Sequence, residues 1–315
     1  MASPALSFRL LNAHLQGPGD GRFHLKPVVG LLVALLAACG TRANQSAGSL
    51  VAVDDAGDTV RLAQPASRVV SLSPATTELV FAIGAGDRLV GRTRWCDFPE
   101  AARAVADVGD GIPPNIESVL ARRPDLVLLY RSPQNSDAAE RFRAAGAAVL
   151  QLDFDHLEDV SRIARLLGPL VGHPAQGDSL ATAFDAELAR LRLPSDDRGA
   201  PTVLLLAWDQ PPMAIGAGSF QSEILTLAGG RNVFADITTP SATVSIEAIA
   251  ARDPSLILVS DSGIPGFARR PEWNVIRAVR ERRFVHLATP AFGRPSPRAP
   301  ALVRELRSLL AERRP

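Results

Sequence analysis

Apolar and polar positions along the chain alternate in units that predict a strand followed by a helix. RVVSLSPATTELVFAIGAG, which begins at Arg68, starts with an apolar strand and continues with apolar residues at helical spacing. We expect Ser73 to cap this helix and Pro74 to be its first residue. Further units of this kind follow in both halves of the chain. They predict an α/β fold with helices on both faces of mainly parallel sheets.

One helix–turn–strand unit occurs twice, as IESVLARRPDLVLL in the first half and IEAIAARDPSLILV in the second, and the two copies align without a gap. Asn115 and Ser245 are the expected N-caps of the two helices. Each first helical turn carries a carboxylate, Glu117 in one copy and Glu247 in the other. A carboxylate there complements the helix dipole, but the dipole does not explain why both copies keep it.

The two halves are separated by a segment that is almost wholly helical. It runs from Asp155 to Leu193 and is interrupted at Gly172–Pro174. Its second part predicts a single long helix. We therefore expect two Rossmann-like lobes bridged by one long helix, with these bounds: an N-terminal α/β lobe at 67–173, a bridging helix at 174–194 and a C-terminal α/β lobe at 195–315.

The first 66 residues have the pattern of an export signal and a tether. PVVGLLVALLAA is an apolar run of about twelve residues, which is too short to span a membrane and suits a signal peptide. The run ends at Cys39, and the residues before this cysteine resemble a lipobox, which predicts lipidation of Cys39. The alternative is ordinary cleavage that leaves a free thiol. We assign 1–39 to a lipoprotein signal peptide and 40–66 to a tether and leading hairpin.

Composition and motifs limit the class of function. The chain of 315 residues has a formal net charge of +1, which gives no sign of the basic face that nucleic-acid binding requires. It has no G-x-S-x-G elbow, P-loop, H-E-x-x-H motif or Rossmann glycine fingerprint. Histidines are too few for a closed metal site. We therefore expect a binding protein with no catalytic residues, no metal and no cofactor.

Ligands of α/β proteins lie beyond the carboxyl ends of the strands, and several aromatic and arginine side chains follow the predicted strands there. Aromatic faces with guanidinium groups suit a large, partly flat ligand that carries carboxylate or amide groups. The candidate ligand contacts are Pro74, Arg94, Trp95, Tyr130, Trp208, Phe292 and Arg294. For Trp95, which lies between charged residues, a pocket is favoured over core packing. Trp273 is assigned to packing.

Four segments together resemble the helical-backbone class of substrate-binding proteins, which serve ABC importers of cobalamin, iron–siderophores and haem. They are RVVSLSPATTELVFAIGAGDRLVGRTRWCDFP, NIESVLARRPDLVLLYR, AGGRNVF and VSIEAIAARDPSLILV. The resemblance runs from about Leu50 to Leu310 and is closest to the periplasmic cobalamin-binding proteins. It implies a cleft between two α/β lobes joined by one long helix, with little closure on binding.

The resemblance also implies roles for individual residues. Pro74, Trp95 and Tyr130 match ligand contacts in the first lobe, and Arg294 matches a contact in the second. Glutamates at the positions of Glu117 and Glu247 pair with arginines on the two permease subunits in this class.

The expected function is therefore capture of a cobalamin-like corrinoid and its delivery to an ABC permease dimer with ATPase subunits. The protein is expected to be a monomer, anchored by lipid at the periplasmic or extracytoplasmic side of the cell envelope. One alternative is a ferric siderophore or haem in the same fold, with Tyr130 as an oxygen ligand in the haem version. A remote alternative is an envelope hydrolase.

Overall fold

The computed structural model describes residues 49–193, 199–260, 263–287 and 289–313. They begin with a hairpin of β1 (Leu50–Val53) and β2 (Thr59–Leu62), whose strands pair antiparallel. One carboxylate holds the turn: Oδ1 of Asp54 accepts hydrogen bonds from the backbone N–H groups of Ala56 and Asp58 at 3.0 and 2.8 Å. Aspartate is favoured in tight turns because it can make this contact. The hairpin occupies the segment in which the sequence predicts one.

Four parallel strands form the sheet of the first lobe: β3 (Val69–Ser71), β4 (Leu89–Arg92), β5 (Leu126–Tyr130) and β6 (Ala148–Leu152). Their order across the sheet is β4-β3-β5-β6. The helices of this lobe are α1 (Pro74–Ala82), α2 (Ile116–Leu120) and α3 (Pro133–Ala144). Short 3₁₀ turns lie at Gly86–Arg88 and Glu100–Ala104. The central strands β3 and β5 are almost wholly buried, as is typical of parallel strands covered on both faces.

The start of α1 differs from the prediction in one respect. Ser73 occupies the N-cap position, but its side chain makes no capping hydrogen bond, so the expected side-chain cap is wrong. The hydroxyls of Thr76 and Thr77 instead donate to the carbonyl oxygen of Ser73, each at 3.0 Å. These threonines and Ser71 are fully buried, and hydrogen bonds among them satisfy their hydroxyl groups.

Six strands form the sheet of the second lobe: β7 (Thr202–Asp209), β8 (Pro212–Ile215), β9 (Arg231–Asn232), β10 (Ser241–Thr243), β11 (Leu256–Val259) and β12 (Phe284–His286). The order is β10-β8-β7-β11-β12, with β9 also paired to β7. The helices are α6 (Phe220–Leu227), α7 (Ile246–Arg252), α8 (Arg277–Arg280) and α9 (Ala299–Ala311), with 3₁₀ turns at Gly266–Arg269, Pro271–Val275 and Pro290–Gly293.

The second sheet is parallel at its centre and antiparallel at one edge. β11 pairs in parallel with both β7 and β12, whereas β8 forms an antiparallel hairpin with β7 and pairs antiparallel with β10. Antiparallel strands can follow one another through a short turn, whereas parallel strands need a longer crossover. The predicted α/β class with mainly parallel sheets is confirmed, with this antiparallel edge as an addition.

One long helix bridges the lobes, as predicted, and a second helix packs beside it. α4 spans Glu158–Leu170 and α5 spans Pro174–Leu191, which makes α5 about 27 Å long. α5 ends against the second lobe, where Arg307 donates to the carbonyl oxygen of Leu191. α4 runs back in the opposite direction and ends against the first lobe, where its Leu170 carbonyl accepts the Ala66 N–H at 2.7 Å.

Small residues allow these two helices to approach closely. A Cβ atom added to Gly177 of α5 would lie 2.5 Å from the Ala164 carbonyl oxygen of α4 and 3.0 Å from Gly168 Cα. Such distances are far shorter than ordinary van der Waals contacts. The backbones of α4 and α5 are therefore in direct contact, and the pair forms a stiff connection.

The largest apolar cluster of the described residues runs through α4 and α5 into both lobes. Smaller clusters cover the outer faces of the two sheets. Trp273 is completely buried and packs on Phe267, which confirms its assignment to packing. In the described parts of the chain, no helix combines the length and apolar character needed to cross a membrane.

We predict that Gly177→Ala lowers the free energy of unfolding by about 1–3 kcal/mol, because the added methyl group would force α4 and α5 apart. An alanine in place of glycine in a helix without this contact stabilises it by about 1 kcal/mol. Urea denaturation measures the difference. Ser179→Ala, two residues later on the exposed face of α5, is the matched control and should change stability by less than about 0.5 kcal/mol. A stabilised Gly177→Ala protein would contradict the close approach.

Candidate functional site

A cavity of about 710 Å³ opens beyond the carboxyl ends of the central strands of the second lobe. Its wall includes Trp208 at the end of β7, Ser260 after β11 and Thr289 after β12. Cavities of this size at this edge of an α/β sheet are typical of small-molecule sites. The sequence predicts a ligand at this edge because parallel strands end there together.

The wall of the cavity is mainly apolar and aromatic. Phe267, Phe292 and Trp208 contribute rings, and Pro265 and Pro290 contribute further apolar surface. The Trp208 side chain is 62% exposed, and its indole N–H donates to the Gln210 carbonyl oxygen at 2.8 Å. This hydrogen bond fixes the orientation of an otherwise open ring. Two of the predicted ligand contacts, Trp208 and Phe292, therefore line one cavity.

Trp95 lies in the first lobe, in the loop after β4, and is 59% exposed. Its indole N–H donates to Oδ1 of Asp110 at 2.9 Å, and the guanidinium of Arg94 lies 3.2 Å from the same oxygen. The loop continues to Asp97 and Phe98, which contact the second lobe next to the cavity. Arg94 and Trp95 belong to this loop, and neither forms part of the cavity wall.

Arg294 directly follows Gly293, the last residue of the cavity wall, but its guanidinium is turned toward the first lobe. It donates to Oδ1 of Asp97 and lies 3.8 Å from Oε1 of Glu78, with 15% of the side chain exposed. The hydrogen bond from Arg294 lowers the pKa of Asp97 below its usual range. The predicted ligand contact at Arg294 is thus occupied by carboxylates of this chain.

A second ion pair connects the lobes beside the first. Glu78 of α1 is buried, and it accepts hydrogen bonds from Nε and Nη2 of Arg298 at 2.9 and 2.6 Å. The Arg298 guanidinium also lies over the Phe98 ring, 3.9 Å from its centroid. Sequence reasoning missed Glu78, Asp97 and Arg298. The sequence did contain a signal for Glu78, which is the only charged residue of α1. A carboxylate that is buried requires a cation as its partner.

Pro74 and Tyr130 lie at the carboxyl edge of the first sheet, outside the cavity wall. The Tyr130 hydroxyl donates to Oδ1 of Asp155 at 3.1 Å. Burial and the adjacent Asp155 carboxylate raise the pKa of Tyr130 to about 12. The Asp155 carbonyl oxygen in turn accepts the Phe220 N–H of the second lobe at 2.6 Å. Tyr130 is therefore tied to the junction of the two lobes as a neutral hydroxyl.

Glu117 and Glu247 occupy equivalent positions in the two lobes. Both are exposed, and each lies in the first turn of the helix that precedes a central strand. The expected caps are confirmed, because Asn115 and Ser245 each accept a backbone N–H, at 3.0 and 3.1 Å. A helix that leads into a parallel strand begins at the edge where the strands end, so both glutamates lie on the cavity side of their lobes. Among the described residues neither has a basic partner within 4.0 Å.

No group of three or more metal-ligating side chains occurs within the part of the chain that the structure describes. Cys96, for which no disulfide partner is expected, is buried and lies 3.1 Å from the Thr93 hydroxyl.

The fold and cavity agree with comparisons to known proteins. Residues 69–291 match the family model described as periplasmic binding protein. The chain belongs to the periplasmic binding protein family. It is 35% identical over 199 residues to the vitamin B12-binding protein of Yersinia pestis (strain Pestoides F), a match that covers 63% of this chain and 71% of that relative.

Solved structures of this family have the same fold. The periplasmic heme-binding protein RhuT from Roseiflexus sp. RS-1 superposes with a TM-score of 0.70 at 25% identity, covering 79% of this chain and 99% of that one. The periplasmic vitamin B12-binding protein BtuF of Vibrio cholerae superposes with a TM-score of 0.67 at 26% identity, covering 79% and 98%. The predicted resemblance to substrate-binding proteins of ABC importers is confirmed.

Membership of the periplasmic binding protein family has consequences for function. Proteins of this family bind solutes, and the family is not a class of enzymes. Membership therefore implies a small-molecule ligand. It also implies an ABC transporter permease as a partner and an extracytoplasmic location.

We predict that Tyr130 ionises near pH 12 and that Asp155→Asn lowers this value toward 10, because the substitution removes the carboxylate that opposes phenolate formation. Tyr130 is the only tyrosine, so the near-ultraviolet absorbance of phenolate reports it alone. Circular dichroism over the same range shows whether the fold is retained. Asp87→Asn, an exposed site in the same lobe, should leave the titration unchanged. A wild-type midpoint near 10 in folded protein would contradict the assignment.

Proposed function

We propose that this protein captures a cobalamin-like corrinoid and delivers it to its permease. The observation that carries the proposal is the aromatic cavity of about 710 Å³ at the sheet edge of the second lobe. Flat conjugated ligands bind well against such rings. The 35% identity to a vitamin B12-binding protein supports the same ligand class.

The polar groups of the cavity wall suit a ligand that carries amides. Gln221, Ser260 and Thr289 contribute an amide and two hydroxyls, which both donate and accept hydrogen bonds. The one carboxylate of the wall, Asp209, accepts a hydrogen bond from Arg270 at 2.7 Å and is thereby neutralised. Corrinoids carry amide side chains around a macrocycle, and this wall offers partners for them without a net charge.

Haem is the second candidate, because a haem-binding protein is among the similar structures. Tyr130 would be its iron ligand. The Tyr130 hydroxyl, however, donates to Asp155, and its pKa is raised to about 12. Since an iron ligand of this kind binds as phenolate, the environment of Tyr130 favours the corrinoid over haem.

We propose further that Glu117 and Glu247 dock this protein onto the permease. Equivalent positions in two similar lobes suit a partner that is itself twofold. Charge complementarity at two remote points mainly speeds association and fixes the register of the complex. The backbone N–H groups at the start of α7 and the Ser245 side chain lower the pKa of Glu247, so this carboxylate is charged at neutral pH.

An anchor would keep the binding protein near the permease. We propose that Cys39 is lipidated and that the mature monomer is held at the membrane surface through it. Cys39 lies outside the described residues, and the proposal is supported by the apolar run and the small residues before it. One acyl chain gives only marginal membrane binding, so stable anchoring requires more than one.

To test the ligand, purified protein is incubated with cyanocobalamin, haemin or a ferric siderophore, desalted, and examined by absorbance spectroscopy. We predict that a corrinoid spectrum is retained. Trp208→Ala should weaken cyanocobalamin binding about three- to tenfold or more, because a stacking ring is lost. Val275→Ala, an exposed apolar site of the same lobe outside the cavity, should leave affinity unchanged. Loss of all three spectra on desalting, or an unchanged affinity of a stable Trp208→Ala protein, would count against the proposal.

To test docking, Glu117→Arg and Glu247→Arg are combined and the protein is added to the permease in liposomes. We predict that ligand binding is retained while permease affinity falls at least about tenfold, with each single reversal between wild type and the double variant. The control is the double reversal Glu140→Arg with Glu305→Arg, which makes the same charge change at one exposed helix site in each lobe. Equal losses in both double variants would attribute the effect to net charge alone.

A further inference from the structure

We propose that Asp97 is a specificity residue that excludes polyanionic ligands from the cavity, because it neutralises Arg294, which directly follows the cavity wall in sequence. The inference deepens the proposed function and rests on it for the position of the ligand. It assigns the ligand to the class of electroneutral, amide-bearing macrocycles, as distinct from haem with its carboxylates and from ferric catecholates.

Arg294 lies next to the cavity wall in sequence. It follows the cavity residues Phe292 and Gly293 directly, so its guanidinium would reach a ligand if it were free. An unpaired guanidinium at such a place binds carboxylates through paired hydrogen bonds. Here Oδ1 of Asp97 accepts its hydrogen bond instead. The carboxylate of the first lobe thus occupies the position that an anionic ligand would take.

Positive and negative charges balance at this contact between the lobes. Two guanidinium groups, from Arg294 and Arg298, face two carboxylates, from Asp97 and Glu78. Glu78 is buried and accepts two hydrogen bonds from Arg298. Its negative charge therefore mainly balances the charge of Arg298. Asp97 has a side chain that is 40% exposed and supplies the second negative charge. Without Asp97, two positive charges would share one carboxylate.

Four other arginines of the two lobes are also engaged. Arg94 pairs with a carboxylate at 3.2 Å, Arg131 at 2.5 Å and Arg270 at 2.7 Å. Arg92 donates to three backbone carbonyl oxygens. These four arginines therefore supply structure rather than open anion sites.

The consequence follows from electrostatics. An anionic ligand at the cavity edge would have to displace Asp97 from Arg294 and would then lie close to two carboxylates of the protein. Both the lost ion pair and the repulsion between like charges oppose binding. A ligand with amide groups and no net charge meets neither obstacle.

The experiment compares wild type with Asp97→Asn by measuring the dissociation constants for haemin and for a ferric triscatecholate. Asparagine keeps the shape of the side chain and removes its charge, which leaves Glu78 as the only carboxylate that balances Arg294 and Arg298. We expect both anionic ligands to bind about ten- to a hundredfold more tightly to Asp97→Asn. Adding Arg294→Gln to this variant should return the affinity for both anions to the wild-type level. The double variant also tests whether the tighter binding comes from altered contacts between the lobes instead of from Arg294.

The matched control is Asp253→Asn, which removes one carboxylate from an ion pair with Arg277 at the amino end of β11, the opposite edge of the sheet. It should leave the affinity for both anions unchanged. The inference is overturned if Asp97→Asn is folded by circular dichroism but binds the anions no more tightly than wild type. It is also overturned if Asp253→Asn gains as much affinity for the anions as Asp97→Asn does. Failure of wild type to retain cyanocobalamin would count against the proposed function alone, because the anion measurements do not depend on it.

Discussion

The arrangement of the cleft depends on one buried carboxylate. Glu78 lies in an otherwise uncharged helix of the first lobe with 2% of its side chain exposed, where an unpaired charge would be strongly unfavourable. Its cation, Arg298, comes from the second lobe. Removing one partner of a buried pair costs about 3–5 kcal/mol, so the lobes cannot separate at this point without a large penalty. The loop that carries Trp95 and the loop that carries Phe292 are thereby held next to each other.

The lobes are connected on a second side by α4 and α5. Their backbones touch at Gly177, and apolar residues of both helices belong to the cluster that continues into the two lobes. A helix pair in contact along its length bends less easily than an extended strand, because bending strains successive backbone hydrogen bonds. Because ion pairs hold one side and helices hold another, we expect little hinge motion between the lobes. Selection must then come mainly from the shape and charge of the preformed cleft.

The features that the sequence predicted correctly are those with a local physical cause. Capping by Asn115 and Ser245 depends on neighbouring backbone groups, which the local sequence supplies. The cap at Ser73 failed because the buried hydroxyls of Thr76 and Thr77 formed a competing network. The partner of Arg294 could not be predicted, since Asp97 is 197 residues away in the chain. No local pattern records which carboxylate an arginine will meet after folding.

The composition explains why arginines near a cleft are a poor guide to ligand charge here. Of the 34 basic residues, 33 are arginine, so arginine fills structural positions that lysine shares in other proteins. A guanidinium has five donors in a planar fork, and it can hold two loops together through a carboxylate or several carbonyl oxygens. Arg298 and Arg92 do this at the edges of the cleft. A ligand therefore meets the net charge that remains after arginines and carboxylates have formed ion pairs. Asp97 and Asp209 determine this net charge as much as the arginines that are prominent in the sequence.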